Sequence, residues 1–299
     1  MTEDRVADRD AGWFEGVAPD DTAAGAARIR DGSADAPDDW PRQAIESGFA
    51  ADEGDYYAKL HAAAVEAARE AAAERERADD QQLVHAVRAM DDLAAEANEL
   101  AERVAEWAGS RYPDAGTGID YALELAERDP ESPVDERLVS LAQRVADLDD
   151  ESESMRAFLE RETSEVAPNL SAMAGPILAA RLVSLAGGLE SLAKKPAGTV
   201  QVLGAEDSLF AHLRGHAPSP KHGVIFTHEY VRGTRPEKRG SAARTLSGKL
   251  AIAARVDYYS GERKPELDAE LEARIDQIRS DSPDADTDDE SPETRGDDE

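Results

Sequence analysis

The residues best suited to bind a ligand form a run of basic side chains in the second half of the chain. Seven cations lie between residues 232 and 255: Arg232, Arg235, Lys238, Arg239, Arg244, Lys249 and Arg255. Because proline favours the first turn of a helix, we expect a helix to begin at Pro236. At 100° per residue, one face of that helix carries Arg244, Gly248, Ala251 and Arg255, and Lys238 and Lys249 form a second edge. Such a face can hold a phosphate backbone, although a buried helix with charged ends has the same pattern.

A second candidate is the loop formed by Lys221, His222 and Gly223, which precedes the apolar run Val224–Phe226. Unpaired RNA bases are commonly stacked on histidine or aromatic rings. The loop therefore predicts a base-stacking site at His222. A solvated loop histidine without a ligand is an equally good interpretation.

Enzyme signatures are missing from the sequence. It contains no phosphate-binding loop, dinucleotide-binding turn, zinc-binding His-Glu-x-x-His helix or Gly-x-Ser-x-Gly elbow. His212 and His216 stand four residues apart, but Gly215 weakens that turn and no carboxylate accompanies them. We expect a protein that is not an enzyme and that has no metal site.

Charge is distributed unevenly along the chain, whose net charge is −31. Residues 1–167 carry 17 basic and 43 acidic side chains, whereas residues 168–264 carry 14 basic and 7 acidic ones. Residues 265–299 are acidic again, with 3 basic and 15 acidic side chains. A basic block in an otherwise acidic chain indicates an anionic partner.

The composition is typical of a protein from a reducing, salt-rich cytoplasm. There is no cysteine, and only 7 lysines accompany 27 arginines, as in the cytoplasmic proteins of extreme halophiles. The first twenty residues lack the basic start and apolar core of an export signal. The apolar stretch Leu170–Leu189 contains Pro176 and Arg181, so we expect a buried helix and no membrane span.

Helical periodicity predicts a mainly all-α fold. Alanine, glutamate and arginine favour a helix between Tyr56 and Arg77. Apolar residues then recur with heptad spacing from Leu83 to Trp107 and again from Val134 to Met155. Prolines and glycines break the helix between these stripes, so we expect a long antiparallel coiled-coil hairpin.

The hairpin also predicts self-association. A two-helix unit buries little apolar area for its length, which favours a homodimer through the coiled coil. The residues expected to pair two copies are Leu83, Met90, Leu93, Leu100, Val104, Leu141, Leu148 and Met155. An isolated structural hairpin is the simpler alternative.

Five segments follow from these patterns. We expect a short acidic amino-terminal domain over residues 1–78, the hairpin over residues 79–166 and a compact helical domain over residues 167–261. A helical extension is expected over residues 262–279. Residues 280–299 carry ten acids and one base and are expected to form a disordered acidic tail.

Five motifs of the compact domain resemble the Nop domain of box C/D ribonucleoprotein core proteins and of a spliceosomal processing factor. They are Ala167–Leu170, Gly175–Leu182, Leu203–Glu206, Pro220–Phe226 and Lys249–Asp257. The resemblance extends more weakly through the hairpin, which is similar to the dimerising coiled coil of that family.

The resemblance implies an archaeal scaffold of the RNA-guided ribose 2′-O-methylation machine, because the halophile-like composition disfavours the spliceosomal relative. In that family, the Nop domain binds a kink-turn or kink-loop guide RNA together with a ribosomal-protein-like partner. The amino-terminal domain holds fibrillarin, the methyltransferase, which binds S-adenosylmethionine. The chain itself is then implied to need no cofactor.

Matching the family motifs residue by residue extends the implied RNA-binding set. The Gly-Ala-Glu-Lys motif falls on residues 204–207, where Asp207 replaces the lysine. The Arg-Gly-Lys-x-Ala-Arg run falls on residues 239–244, where Ser241 replaces a lysine. The implied RNA-binding residues are Gly204, Ala205, Glu206, Lys221, His222, Arg239, Arg244, Lys249 and Arg255.

High salt limits what these cations contribute. Affinity from phosphate contacts falls with salt at a log–log slope of roughly −0.7 to −0.9 per phosphate. We therefore expect shape, stacking and the partner protein to supply most of the affinity, and naked RNA to bind poorly. The alternative is a coiled-coil adaptor whose basic domain binds an acidic protein.

Overall fold

The computed structural model describes residues 12–34, 36 and 38–280. Over these ranges the chain forms fourteen α-helices and one short 3-10 helix, with no β-strand. The predicted all-α fold is therefore confirmed. The chain divides into two compact units, residues 1–78 and residues 79–299.

The first unit contains three helices: α1 (Thr22–Asp31), α2 (Trp40–Glu46) and α3 (Glu53–Arg77). Each begins after an aspartate whose carboxylate accepts a hydrogen bond from a backbone N–H of the first turn: Asp21, Asp39 and Asp52. Phe14, Phe49 and Tyr56 are buried together, and Trp13 packs against them. The acidic amino-terminal region thus folds around a small aromatic core.

The second unit begins with a helical hairpin made of α4 (Asp79–Gly109), α5 (Gly118–Ala126) and α6 (Pro133–Val166). Two contacts show that α4 and α6 are antiparallel. Ser152 Oγ donates to the Met90 carbonyl at 3.3 Å, and Arg111 pairs with Asp135 at the opposite end. The two long helices predicted from heptad spacing are present, and the supercoil of a coiled coil stays a prediction.

The eight residues predicted to pair two copies lie mainly between α4 and α6 of one chain. Leu83, Met90 and Val104 are 0%, 3% and 0% exposed in the core of the hairpin. A second copy cannot reach them, because the two stripes of one chain already pack on each other. Their predicted role in dimerisation is therefore wrong. The others are half-buried, and self-association through them stays a prediction: Leu93, Leu100, Leu141, Leu148 and Met155.

A buried carboxylate closes the far end of the hairpin. Asp135, which is 4% exposed, accepts hydrogen bonds from three side chains: Arg111 Nε at 3.0 Å, Tyr112 Oη at 2.9 Å and Ser132 Oγ at 2.8 Å. The Arg111 guanidinium and these hydroxyls hold the pKa of Asp135 well below its usual range. The ionised carboxylate therefore fixes the connection between α4 and α6.

The rest of the second unit packs around one long helix, α13 (Arg239–Tyr259). The other elements are α7 (Pro168–Ala174), α8 (Pro176–Ala186), α9 (Leu189–Lys194), α10 (Ala197–Val202), α11 (Glu206–Leu213), a 3-10 helix (Val224–Thr227), α12 (Glu229–Arg232) and α14 (Glu266–Ser280). Buried residues of α13 include Ala242, Ala243, Ala253 and Ala254. These small side chains let the neighbouring helices approach α13 closely.

The apolar stretch Leu170–Leu189 is largely buried, although Leu185 is exposed, and it does not form one helix. Gly175, at a φ of +77°, separates α7 from α8, and α9 begins at Leu189. Among the residues in the described ranges, no single helix is long and apolar enough to cross a membrane. The α7–α8 pair meets that test only as a pair, and it is bent by 119°.

Two motif residues, Asn169 and Asp257, tie α7 to the end of α13. Asp257 is 6% exposed and accepts hydrogen bonds from the backbone N–H groups of Asn169 and Leu170, each at 2.9 Å. The Asn169 side-chain amide donates to the same carboxylate at 2.6 Å. Burial raises the pKa of Asp257, and these hydrogen bonds oppose that rise. Both residues therefore have a structural role.

Candidate nucleic-acid interface

Two of the predicted RNA-binding segments, residues 203–206 and 221–224, form one surface. The N–H of Gly223 donates to the Gln201 carbonyl at 2.8 Å, and the N–H of Val224 donates to the Leu203 carbonyl at 2.7 Å. A Cβ atom on Gly223 would lie 1.9 Å from the Leu203 carbonyl oxygen. Only glycine permits this close approach, so the Pro220–Phe226 motif docks one loop onto the other.

The loop before α11 is shaped by Gly204 and Glu206. Gly204 has a φ of +79°, which favours glycine, and its N–H donates to Glu206 Oε1 at 2.9 Å. Ala205 is half-buried, and Glu206 and Asp207 are exposed in the first turn of α11. Glu206 thus positions the loop, and the acid at residue 207 keeps the site of the missing family lysine negative.

A stack of three side chains joins the Lys221 loop to α13. The His222 and Phe226 rings are 4.5 Å apart between centroids and nearly parallel, at 19°. The Arg239 guanidinium lies 5.5 Å from the centre of the Phe226 ring. His222 therefore has one ring face covered by Phe226, and its predicted role in stacking on a base stays a prediction.

The amino-terminal end of α13 gathers the cations of several elements. Arg239 Nε donates to the Thr234 carbonyl at 3.0 Å, and its Nη2 donates to the Arg232 carbonyl at 3.3 Å. We call the resulting cluster the basic corner, defined as Lys221, Arg232, Arg235, Lys238, Arg239 and Arg244. The helix begins at Arg239, three residues after the predicted start at Pro236, because residues 236–238 form a turn with Lys238 N–H bonded to the Arg235 carbonyl.

Four cations of the basic corner have no side-chain partner. Lys221, Arg232, Lys238 and Arg244 make no side-chain hydrogen bond or ion pair within the part of the chain that the structure describes. Glu237 is the only acidic residue between Arg232 and Arg244. The basic corner therefore carries positive charge that no side chain neutralises within the described residues.

The carboxyl-terminal half of α13 is different, because its predicted RNA-binding cations have intrachain partners. Arg255 donates to the carbonyls of Ala193 and Lys195, at 3.1 and 3.2 Å, and so caps the end of α9. Lys249 forms an ion pair with Glu270 of α14. Ala251, predicted to lie on the open face, is buried, whereas the next residue, Ile252, is exposed. These contacts give Lys249 and Arg255 structural roles, while RNA contact by them stays a prediction.

Two exposed apolar side chains of α11 were not predicted from the sequence as site residues. Phe210 and Leu213 are 56% and 70% exposed, and the structure describes no buried residue in this helix. Large exposed apolar side chains on a short helix beside the Gly204 loop indicate a contact surface. Their spacing of three residues on a predicted helix was visible in the sequence, but the absence of a covering element was not.

Comparison with known proteins now identifies the family of this chain. The Nop family model, described as "snoRNA binding domain, fibrillarin", matches residues 127–279, which is just over half of the chain. The chain belongs to the Nop family. The matched residues include both loops, the basic corner and nearly all of α14.

Relatives from archaea and eukaryotes match the same chain. An uncharacterized NOP5 family protein of Methanocaldococcus jannaschii is 41% identical over 182 residues, which are 61% of this chain and 41% of the relative. Nucleolar protein 58 of Candida albicans is 32% identical in an alignment 232 positions long that covers 65% of this chain and 45% of that protein. The chain thus spans less than half the length of these curated relatives.

A solved structure also resembles the fold of this chain. The crystal structure of a fibrillarin/Nop5p complex contains a chain that superposes with a TM-score of 0.52 at 25% identity. The superposition covers 85% of this chain and 92% of the solved one. The resemblance stated from the five motifs is confirmed.

Proposed function

We propose that this chain is a non-catalytic, RNA-binding scaffold of a box C/D ribonucleoprotein that guides ribose 2′-O-methylation of ribosomal and transfer RNA in the cytoplasm. Its membership of the Nop family supports this proposal, as does the snoRNA-binding description of the matching model. The observation that carries it is the basic corner, where four cations have no partner over the described ranges, beside two joined loops in an otherwise acidic chain.

In this proposal the guide RNA lies against the basic corner and the loop at Gly204. Lys221, Lys238 and Arg244 contact phosphates, which position the RNA without reading its sequence. Phe210 and Leu213 provide apolar contact area for the kink-turn protein and the RNA that it holds. Specificity then comes from the folded RNA–protein surface, which suits binding in high salt.

The first unit and the hairpin complete the scaffold. We assign the binding of fibrillarin to the first unit, which has an open cleft of about 430 Å³ lined by residues such as Phe14, Val17 and Phe49. The solved fibrillarin/Nop5p complex supports this assignment. Fibrillarin brings S-adenosylmethionine, and this chain places the enzyme at the guide RNA. Half-buried leucines such as Leu93 and Leu148 are the proposed contacts of a homodimer.

Copurification from cells tests the proposal when the bound material is washed in dilute salt, where phosphate contacts contribute most to the affinity. We expect the wild type to retain small RNAs with C and D boxes together with the kink-turn protein. The double variant Lys238→Ala/Arg244→Ala should lose both. The control variant Arg88→Ala/Arg137→Ala removes two exposed cations of the hairpin and should retain both.

Two results would contradict the proposal in different ways. If the Lys238→Ala/Arg244→Ala variant retains box C/D RNA, the chain is still a scaffold, but its RNA contacts lie outside the basic corner. No RNA with any variant would favour the adaptor that binds an acidic protein.

A further inference from the structure

The last turn of α14 lies against the connection between α12 and α13. We call this connection, residues 233–238, the corner turn, because it carries two cations of the basic corner. An Arg235 Nη2 donates to the Arg279 carbonyl at 3.4 Å. Three buried apolar side chains anchor α14 in the core that it shares with α13: Leu271, Ile275 and Ile278. The corner turn therefore rests on a helix whose position is set by the core.

Arg279 of α14 makes three further contacts here. Its Nε donates to Thr234 Oγ1 at 3.3 Å, and its Nη2 donates to the Glu229 carbonyl at 2.9 Å. Its guanidinium lies 5.5 Å from the centre of the Tyr230 ring. Arg279 forms no ion pair within the ranges that the structure describes. Its hydrogen bonds thus join α14 to a hydroxyl and a backbone carbonyl, and they neutralise no acid.

Thr234 is the residue at which two arginines meet the corner turn. It is 3% exposed, and its Oγ1 also donates to the Tyr230 carbonyl at 2.7 Å. Its own carbonyl accepts a hydrogen bond from Arg239 Nε at 3.0 Å. Arg239 therefore holds the corner turn from α13, and Arg279 holds it from α14.

A segment with this charge needs support to stay in one conformation. Arg232, Arg235 and Lys238 lie within seven residues, with Glu237 as the one acid among them. Like charges at this spacing repel one another. Arg279 adds a further cation to the same place, which is unfavourable unless the order that it imposes has a use. Local conflicts of this kind concentrate at functional sites.

We infer that Arg279 is a positioning residue of the RNA-binding surface. It holds the corner turn in the conformation that presents Lys238 to a phosphate, and it does not touch the RNA itself. A turn that is ordered in advance loses less conformational entropy when RNA binds. The inference rests on the proposed function, because it assigns RNA to the basic corner.

Salt dependence separates a positioning residue from a phosphate contact. Removal of a phosphate contact reduces the log–log salt slope of RNA binding by about 0.7–0.9. Arg279→Gln should weaken binding to the complex of kink-turn RNA and its protein about tenfold through the lost hydrogen bonds, and the slope should stay unchanged. The control Arg274→Gln removes an exposed cation of the same helix and should bind like the wild type.

Arg279→Lys tests whether geometry or charge is required. An ammonium group keeps the charge, but it lacks the planar fork that reaches the Thr234 hydroxyl and the Glu229 carbonyl together. We therefore expect Arg279→Lys to bind the kink-turn complex as weakly as Arg279→Gln does. A phosphate contact at Arg279 would instead be largely restored by lysine.

Thr234→Val tests the same contact from the other side without any change of charge. Valine has the shape of threonine but no hydroxyl, so Arg279 Nε loses its acceptor. We expect binding to the kink-turn complex to weaken about fivefold, as for one lost hydrogen bond, at an unchanged salt slope. The double variant Thr234→Val/Arg279→Lys should bind within about twofold of Arg279→Lys alone, because both changes break one contact.

Hydrogen exchange measures the order of the corner turn without RNA. The Lys238 N–H is bonded to the Arg235 carbonyl at 2.9 Å inside this turn. In Arg279→Lys we expect faster exchange than in the wild type for peptides that cover residues 233–238. Peptides of the α4–α6 hairpin should exchange as in the wild type, which shows that the variant is folded.

Three results would overturn the inference. They are wild-type affinity in Arg279→Lys, a reduced salt slope in Arg279→Gln and unchanged exchange of residues 233–238 in Arg279→Lys. Failure of the proposed function gives a different result, because the wild-type chain itself would then not bind the kink-turn complex. The exchange rates would still decide whether Arg279 orders the corner turn.

Discussion

The two halves of α13 use their cations in opposite ways. At the amino-terminal end, Lys238 and Arg244 have no side-chain partner within the described residues. At the carboxyl-terminal end, Lys249 is paired with Glu270 and Arg255 caps α9. One helix therefore carries cations without a partner among the described residues at one end and cations with structural contacts at the other.

The helix dipole makes this difference informative. Cations are favourable near the carboxyl end of a helix and unfavourable near its amino end. Arg255 stabilises the carboxyl end of α9, whose carbonyls it contacts, whereas Lys238 and Arg239 lie at the amino end of α13, where positive charge costs stability. Violations of local rules concentrate at functional sites. The amino-terminal half of α13 is accordingly the half that we expect to meet RNA.

The largest effect on stability is expected from Asp257, a buried acid in the carboxyl-terminal half of α13. Asp257→Ala leaves the N–H groups of Asn169 and Leu170 without their acceptor and should lower the free energy of unfolding by roughly 3–5 kcal/mol. Chemical denaturation measures this loss. The exposed acid of α14 in Asp276→Ala serves as the control and should change stability little. A loss below about 1 kcal/mol for Asp257→Ala, within the range of surface substitutions, would show that α7 is held by other contacts.

Arg244→Ala should change binding and leave stability unchanged. Loss of one phosphate contact should weaken binding to the kink-turn complex about tenfold in dilute salt and reduce the log–log salt slope by about 0.7–0.9. The free energy of unfolding should stay within about 0.5 kcal/mol of the wild type, because the side chain has no partner among the residues that the structure describes. An unchanged slope would remove Arg244 from the interface.

Arg255→Ala should lower stability and leave RNA binding unchanged. The carbonyls of Ala193 and Lys195 lose a charged donor, so we expect a loss of about 1–2 kcal/mol in the free energy of unfolding. Affinity for the kink-turn complex should stay within twofold, measured where the variant is fully folded. A strong loss of affinity at unchanged stability would extend the RNA surface along the whole of α13.

Lys238→Glu should move stability and binding in opposite directions. Reversing the charge at the amino end of α13 should raise the free energy of unfolding by about 0.3–1 kcal/mol through the helix dipole. The same change should weaken RNA binding, because it removes a cation of the basic corner. Lys238→Gln is the intermediate case. A lower free energy of unfolding in Lys238→Glu would show that positive charge at residue 238 does not destabilise the amino end of α13.

Sequence patterns predicted elements well where the periodicity was local. The heptad spacing from Leu83 and from Val134 gave both long helices of the hairpin. It did not reveal that Leu83, Met90 and Val104 pack within one chain, because a stripe carries no information on which surface covers it. Self-association was therefore assigned to a set of eight residues of which these three lie beyond the reach of a second copy.

The sequence motifs located the segments that form the candidate site, but they did not distinguish cations open to a ligand from cations with structural contacts. The motifs brought the Gly204 loop, the Lys221 loop and α13 to attention, and the structure joins all three. Arg244 and Arg255 looked equivalent at 100° per residue, yet Arg255 meets carbonyls about sixty residues away in the sequence. Contacts at that separation depend on tertiary packing, which periodicity does not encode. The exposure of Phe210 has the same origin.

Mapping protein–RNA cross-links in the assembled particle tests the central claim most directly. Ultraviolet cross-linking followed by mass spectrometry identifies the peptides that touch guide RNA. We predict cross-links within residues 204–213, 221–226 and 232–244, and none within residues 249–259. Cross-links confined to residues 249–259 or to the α4–α6 hairpin would contradict the assignment of RNA to the amino-terminal half of α13.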